Sequence, residues 1–114
     1  MMQTFTHYFL HFGFIFFIAF LIDRNNIKQN YLILLASMLV DLDHLLANPI
    51  FDPNRCSINF HILHTYWAWG LYFLVAILAK NKMIKTFAIG LSFHLFTDAI
   101  DCLWSYNWDF KVLL

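Results

Sequence analysis

The chain has 114 residues, of which 61% are hydrophobic and 20% aromatic, and its formal net charge is zero with histidine neutral. Only 12% of the residues are charged, about half the fraction that is usual in a soluble domain. A chain of this length buries only about 60–70% of the surface that its unfolded form exposes. The composition therefore disfavours a soluble helical domain, and the balanced charge argues against nucleic acid as a partner.

Four apolar runs follow one another along the chain, at residues 5–22, 31–47, 61–79 and 86–104. Each is close to the ~20 residues that a helix needs to cross the core of a bilayer. The first run lacks the basic n-region and the A-x-A-like site of a cleaved signal peptide, which predicts a retained helix. The second ends before Asn48-Pro49, and proline terminates helices. We predict an all-α fold: an integral membrane four-helix bundle that forms a single domain over residues 1–114.

The basic residues are divided unequally between the two ends of this bundle. The first and third loops carry Arg24, Lys28, Lys80, Lys82 and Lys85, whereas the opposite side carries Arg55 and Lys111. The positive-inside rule places the richer loops in the cytoplasm. Both termini and the 48–60 loop are then extracytoplasmic.

Ionisable residues interrupt every apolar run, which is costly in a membrane and by default indicates a functional site. They are His7, His11, Asp41, Asp43, His44, His61, His64, His94, Asp98 and Asp101. On the predicted topology all ten lie within roughly 15 Å of the outer boundary. Helices that run in opposite directions therefore bring these side chains to one layer.

The helical spacing places most of these side chains on shared faces. His7 and His11 project ~40° apart, and His61 and His64 ~60° apart. His94, Asp98 and Asp101 fall within one ~60° arc, and Asp41 shares a face with His44. Asp43 projects away from Asp41 unless the second helix unwinds towards its end.

Imidazole and carboxylate ligands suit zinc, iron or manganese, and paired ligands at i,i+3 or i,i+4 on bundle helices are a common way to build such sites. The predicted ligands are His7, His11, Asp41, Asp43, His44, His61, His64, His94 and Asp98. The four aspartates of the layer would carry a charge that two divalent cations neutralise. We expect a divalent cofactor, with zinc favoured and two ions indicated by the charge.

Other roles for these ionisable residues are structural, redox or non-catalytic. Any one of the ten side chains could instead join helices by hydrogen bonds. The same residues could hold haem or a di-iron centre, although haem has no use for four carboxylates and helical di-iron sites use glutamate. The protein could also be a non-catalytic metal carrier, a transporter subunit or a bundle with a structural metal.

Cys56 and Cys102 both fall on the outer side of the predicted topology. A disulfide between them is plausible if that side is oxidising. A free buried thiol and a soft metal ligand are the alternatives, because two cysteines settle nothing by their number.

The segments at residues 40–44 (VDLDH), 64–65 (HT) and 91–98 (LSFHLFTD) resemble motifs of the membrane-bound metal-dependent hydrolases, the YdjM-like family of bacterial inner-membrane proteins. That family has an N-terminal histidine, D-x-D-H, H-R-x-x-T-H and a late H-x-x-x-D. The resemblance implies metal roles for Asp41, Asp43, His44, His64, His94 and Asp98, with His7 or His11 in the N-terminal position. It also implies a multi-pass protein of the bacterial inner membrane.

The central motif departs from the family pattern, because two residues separate His61 from His64 and no arginine follows His61. That leaves the role of His61 open, and Arg55 is the candidate to replace the arginine by holding an anionic group. We expect a metal-dependent hydrolase in which Asp43 or Asp101 is the general base and a water activated by the metal attacks. Because the site lies near head-group depth, a lipid or lipid-linked phosphoester is the expected substrate. Oligomeric state is left open.

Overall fold

In a computed structural model of the protein, residues 2–46, 56, 58 and 62–113 are described, apart from the side chains of residues 43, 44, 112 and 113. Within this part the chain is all-α, with four main helices and no strand. They are α1 (Met2–Ile22), α2 (Ile27–Ala36), α3 (Tyr66–Leu78) and α4 (Lys82–Ser105). The predicted all-α class is confirmed.

Helix α1 contains one turn of π-helix at Phe9–Gly13, between two α-helical stretches. The backbone N–H of Phe14 donates to the Phe9 carbonyl, five residues earlier. The Tyr31 hydroxyl on α2 donates to the Phe12 carbonyl at 2.8 Å, which gives a carbonyl in the irregular turn a partner from outside the helix. The helix ends where Asp23 turns to an extended conformation, as the run at 5–22 predicts.

The second helix departs from the prediction of one regular span over 31–47. It begins at Ile27, remains α-helical to Ala36 and continues as a 3₁₀-helix over Ser37–Leu46. The buried residues Leu34, Ser37 and Val40 recur every third position, which is the period of a 3₁₀-helix. The Ser37 hydroxyl donates to the Leu34 carbonyl at 2.5 Å, so the side chain also favours the tighter turn.

The third helix begins at Tyr66 rather than at residue 61. Thr65 is extended and its hydroxyl accepts from the Ala68 backbone N–H at 3.2 Å, which is an N-cap interaction. Ile62–His64 forms a separate short 3₁₀ segment before this cap. Helix α3 therefore has 13 residues and a length of about 20 Å, less than the ~30 Å of a bilayer core.

Helix α4 is the central element and packs against α1, α2 and α3. Its N-cap is Asn81, whose side chain accepts from the Met83 and Ile84 backbone N–H groups. At Gly90 it lies against α2 so closely that an added Cβ would be 2.6 Å from Ser37 Oγ. Glycine is needed there because any larger residue would push the two helices apart.

Within the described residues, two helices are long and apolar enough to cross a membrane, Met2–Ile22 and Lys82–Ser105. This count rests on length and composition. Large apolar side chains are also exposed on α1 and α3, among them Phe5, Phe17, Trp67 and Phe73. Both cysteines of the sequence are joined in a Cys56–Cys102 disulfide, one of the alternatives left open by the sequence.

Candidate metal centre

Four predicted ligands meet in one place, although three separate segments supply them. Asp41 lies on the 3₁₀ segment after α2, His64 on the short segment before α3, and His94 and Asp98 on α4. Each offers one ligand atom, and these atoms all lie within 4.8 Å of one another. We call this set the four-residue cluster.

Its nitrogens and oxygens alternate around a small space. His94 Nε2 lies 3.0 Å from Asp41 Oδ1 and 3.2 Å from Asp98 Oδ2. His64 Nε2 lies 3.1 Å from Asp98 Oδ2 and 3.4 Å from Asp41 Oδ1. His64 and His94 are almost fully buried, whereas the Asp41 side chain is 42% exposed. The cluster is thus shielded on most sides and reaches the surface at Asp41.

A second group of three ligands adjoins the first and shares Asp98 with it. His7, His11 and Asp98 again offer ligand atoms within 4.8 Å of one another; we call them the three-residue cluster. His11 Nε2 lies 3.5 Å from Asp98 Oδ1, while Asp98 Oδ2 faces His64 and His94. The two oxygens of one carboxylate therefore face two different sets of imidazoles.

The rings form a continuous row across the helices. The His7 and His11 ring centroids are 4.4 Å apart, those of His11 and His94 4.5 Å, and those of His94 and His64 5.6 Å. His11 lies inside the π turn of α1, a feature that occurs mostly as single turns and frequently at functional sites.

Helix α4 organises the centre through one stripe of residues at four-residue spacing. Thr86, Gly90, His94 and Asp98 are all buried on this helix, and residues four apart lie on the same face. Gly90, which has no side chain, lets α2 approach α4 at Ser37. His94 and Asp98, further along the same stripe, then lie beside Asp41, four residues after Ser37.

The donor set could hold a divalent cation. Asp98 Oδ2, His94 Nδ1 and His7 Nδ1 are buried and have no hydrogen-bond partner among the described residues. Asp98 Oδ2 lacks one even though two ring nitrogens lie within 3.2 Å. Ligand atoms at ~2.0–2.1 Å from a tetrahedral zinc ion are about 3.3 Å apart, and the four nitrogen–oxygen distances of the four-residue cluster run from 3.0 to 3.4 Å.

Asp101, predicted as a general base, belongs to neither cluster. Its Oδ1 accepts from Gln3 Nε2 at 3.0 Å and lies 3.8 Å from His7 Nδ1. Gln3 Nε2 also donates to Ser105 Oγ at 2.7 Å. Gln3 was not among the predicted site residues, although its spacing of four residues from His7 places both on one face of α1.

Four other predicted site residues cannot be placed at the centre by their side chains. Asp43 and His44 lie on the 3₁₀ segment Ser37–Leu46, but their side chains are not described. Arg55 and His61 lie outside the described residues. Their predicted roles therefore stay predictions.

A helical bundle with buried histidine and aspartate at one end is the class of protein that the geometry defines. Residues 1–105 match the model of a family of unknown function, DUF6122, and the chain belongs to that family. No match was found among the curated proteins or among the solved structures. The family carries no assigned activity, so the resemblance to the YdjM-like hydrolases stays a prediction.

Proposed function

We propose that this protein is a membrane-embedded, metal-dependent hydrolase whose centre is formed by Asp41, His64, His94 and Asp98. The observation that carries the proposal is the convergence of four ligand atoms within 4.8 Å from three separate segments. The buried Asp98 carboxylate would be expensive without a cation, and the partly exposed Asp41 is the second carboxylate of the same cluster. A divalent ion bound to both would offset that cost, and zinc is the ion that we propose for this nitrogen and oxygen set.

A membrane location is supported by the apolar exposure of α1 and α3 and by the length of α1 and α4. The proposed orientation rests on two links at opposite ends of the bundle. Lys82, the first residue of α4, pairs with Asp23, which follows α1, at the lysine-rich end. The disulfide joins Cys56 to Cys102 at the other end, and disulfides persist on oxidising sides of membranes.

Both termini and the metal centre then lie on the extracytoplasmic side of a bacterial inner membrane, with the chain crossing it several times. The centre lies towards the disulfide end of α4, because Asp98 precedes Cys102 by about one turn and His94 by about two. This depth is near the lipid head groups. A lipid or lipid-linked phosphoester is the substrate class that reaches such a site without leaving the membrane.

A divalent cation would supply Lewis-acid activation of water and of a phosphoryl oxygen. The chain supplies the surroundings. His64 and His94 exclude solvent because they are almost fully buried. Asp41 is the accessible edge of the cluster, and the Asp101 carboxylate beside the His7 ring is the general base that we propose.

The first experiment measures metal in detergent-purified protein by elemental analysis, for the wild type, His94→Ala and the control Asp109→Asn. Asp109 is an exposed aspartate near the C-terminus. We expect stoichiometric metal in the wild type and the control, and its loss in His94→Ala. Wild-type protein without metal, or metal unchanged in His94→Ala, would show that the cluster is not a metal site.

The second experiment tests hydrolysis with the zinc-loaded protein in mixed micelles. Phosphatidate and a polyprenyl diphosphate are the lipid probes, and bis(p-nitrophenyl) phosphate is the soluble one. We expect phosphate release from a lipid probe, abolished by His94→Ala and retained by Asp109→Asn. Metal-loaded protein that hydrolyses none of the three would refute the hydrolase and leave a metal-binding membrane protein.

A further inference from the structure

We infer that the centre holds two ions of different affinity joined by Asp98, and that the substrate reaches the more weakly bound ion at the exposed edge of His7. This inference rests on the proposed function, because it divides that same centre into two parts. The four-residue cluster would hold a retained ion. The three-residue cluster of His7, His11 and Asp98 would hold the ion that exchanges its remaining ligand.

Asp98 is the one residue common to both clusters. Its Oδ2 lies 3.1 Å from His64 Nε2 and 3.2 Å from His94 Nε2, whereas its Oδ1 lies 3.5 Å from His11 Nε2. A carboxylate whose oxygens face separate imidazole sets is suited to bridge two ions. The ions of two-metal sites are about 3.5–4 Å apart, a spacing that the two oxygens of one carboxylate can span.

The two clusters differ in the number of protein ligands that the described residues supply. The first has four, which completes the tetrahedral shell that is usual for a structural zinc site. The second has three, which is the usual number for a catalytic zinc, whose fourth position is left for water or substrate. Exchange of ligands is therefore expected at the His7 and His11 side.

One edge of the second cluster is polar and exposed. Beside it α1 and α4 pack closely around a gap too small to admit a substrate, and Gln3, Thr6, Asp101 and Trp104 are among the residues that line this gap. The Asp101 carboxylate lies 3.8 Å from the His7 ring, and Gln3 holds that carboxylate in place. The His7 side chain is 28% exposed, so this side is open to solvent, while His11 behind it is buried.

Cobalt titration of the metal-free, detergent-purified protein tests the inference. Cobalt replaces zinc in such sites and reports each bound ion by visible absorption and by electron paramagnetic resonance. The variants are His11→Ala, which removes a ligand from the three-residue cluster alone, and His64→Ala, which removes one from the four-residue cluster alone. Asp109→Asn is the control, and circular dichroism confirms that each variant keeps its helix content.

We expect the wild type to bind two cobalt ions, the second with an affinity at least 100-fold lower than the first. The paramagnetic resonance signal should fall when both ions are bound, because a shared carboxylate couples the two spins. In His11→Ala we expect one equivalent with an uncoupled signal. In His64→Ala we expect the cobalt ion with the higher affinity to be lost.

Three other outcomes would overturn the inference, and each refutes a different part of it. One wild-type equivalent that persists in His11→Ala would refute the second ion and leave the proposed metal-dependent function intact. Two equivalents without spin coupling would refute the bridge by Asp98. Absence of bound cobalt from the wild type would refute both proposals together.

Discussion

The substitution Gly90→Ala adds a methyl group where α2 and α4 touch. A Cβ at this position would lie 2.6 Å from Ser37 Oγ and 2.8 Å from Ser37 Cβ. Non-bonded heavy atoms prefer about 3.5–4.0 Å, so the helices must separate by roughly 1 Å. Gly90 precedes His94 by four residues, and Ser37 precedes Asp41 by the same number. The separation is therefore transmitted to the metal centre.

We expect the 3.0 Å distance between His94 Nε2 and Asp41 Oδ1 to widen by a similar amount. Metal sites tolerate deviations of about 0.2 Å in their ligand distances, and disturbing the groups that hold ligands in place typically costs about 10–100-fold in affinity. Overpacking costs about 1–3 kcal/mol, but alanine regains about 1 kcal/mol of helix propensity. The net loss of stability should thus be about 0–2 kcal/mol.

The assay measures zinc affinity by competition with a chromogenic chelator, and stability by thermal unfolding in detergent. Gly70→Ala is the matched control, because a Cβ there would meet nothing within 4 Å. The double variant Ser37→Gly with Gly90→Ala removes the obstructing side chain and should recover most of the affinity. Unchanged zinc affinity in Gly90→Ala would refute the reasoning that this contact positions the ligands.

Two further predictions concern the ends of the bundle. Reduction of the Cys56–Cys102 disulfide, whose cysteines are 46 residues apart, should lower the free energy of unfolding by about 2–4 kcal/mol. As a control, the double variant Cys56→Ala with Cys102→Ala should unfold at the same temperature with and without reductant. A wild-type melting temperature that does not change with reductant would contradict this prediction. Hydrogen bonds from Lys82 and Asn26 hold the pKa of the Asp23 carboxyl well below its usual value. The stability that Asp23 contributes is therefore complete at pH 7, declines as the pH falls below its unfolded pKa of about 3.9, and is lost as the pH falls through its folded pKa. The difference in melting temperature between the wild type and Asp23→Asn should accordingly be larger at pH 7 than at pH 2, and a pH-independent difference would count against the ion pair.

The convergence of Asp41, His64, His94 and Asp98 was predictable because the position of each residue along its own apolar run indicates which end of the bundle it lies near. Apolar runs of similar length indicate antiparallel helices, and their polar residues fall near the same end. Residues four apart on a helix, such as His94 and Asp98, share a face wherever the helix packs. The direction of each helix and the end of the bundle near which its polar residues lie could therefore be predicted before any contact was known.

Distances between helices were not predictable in this way. The contact of Gly90 with Ser37 joins residues far apart in the sequence, and no local pattern pairs them. The division of Asp98 between two clusters depends on that same packing. The change from α- to 3₁₀-helix at Ser37 also depends on tertiary burial, which overrides the regular period that an apolar run suggests.

The π turn of α1 makes the centre sensitive to the number of residues in the chain. A π turn accommodates one residue more than an α-helical turn would. Deleting one residue from Phe9–Gly13 would let α1 run as a regular helix and rotate the segment before it by about 100°. His7 would then turn away from Asp98 although no ligand had been substituted, so the candidate metal centre depends on the number of residues in α1 as well as on the identity of its side chains.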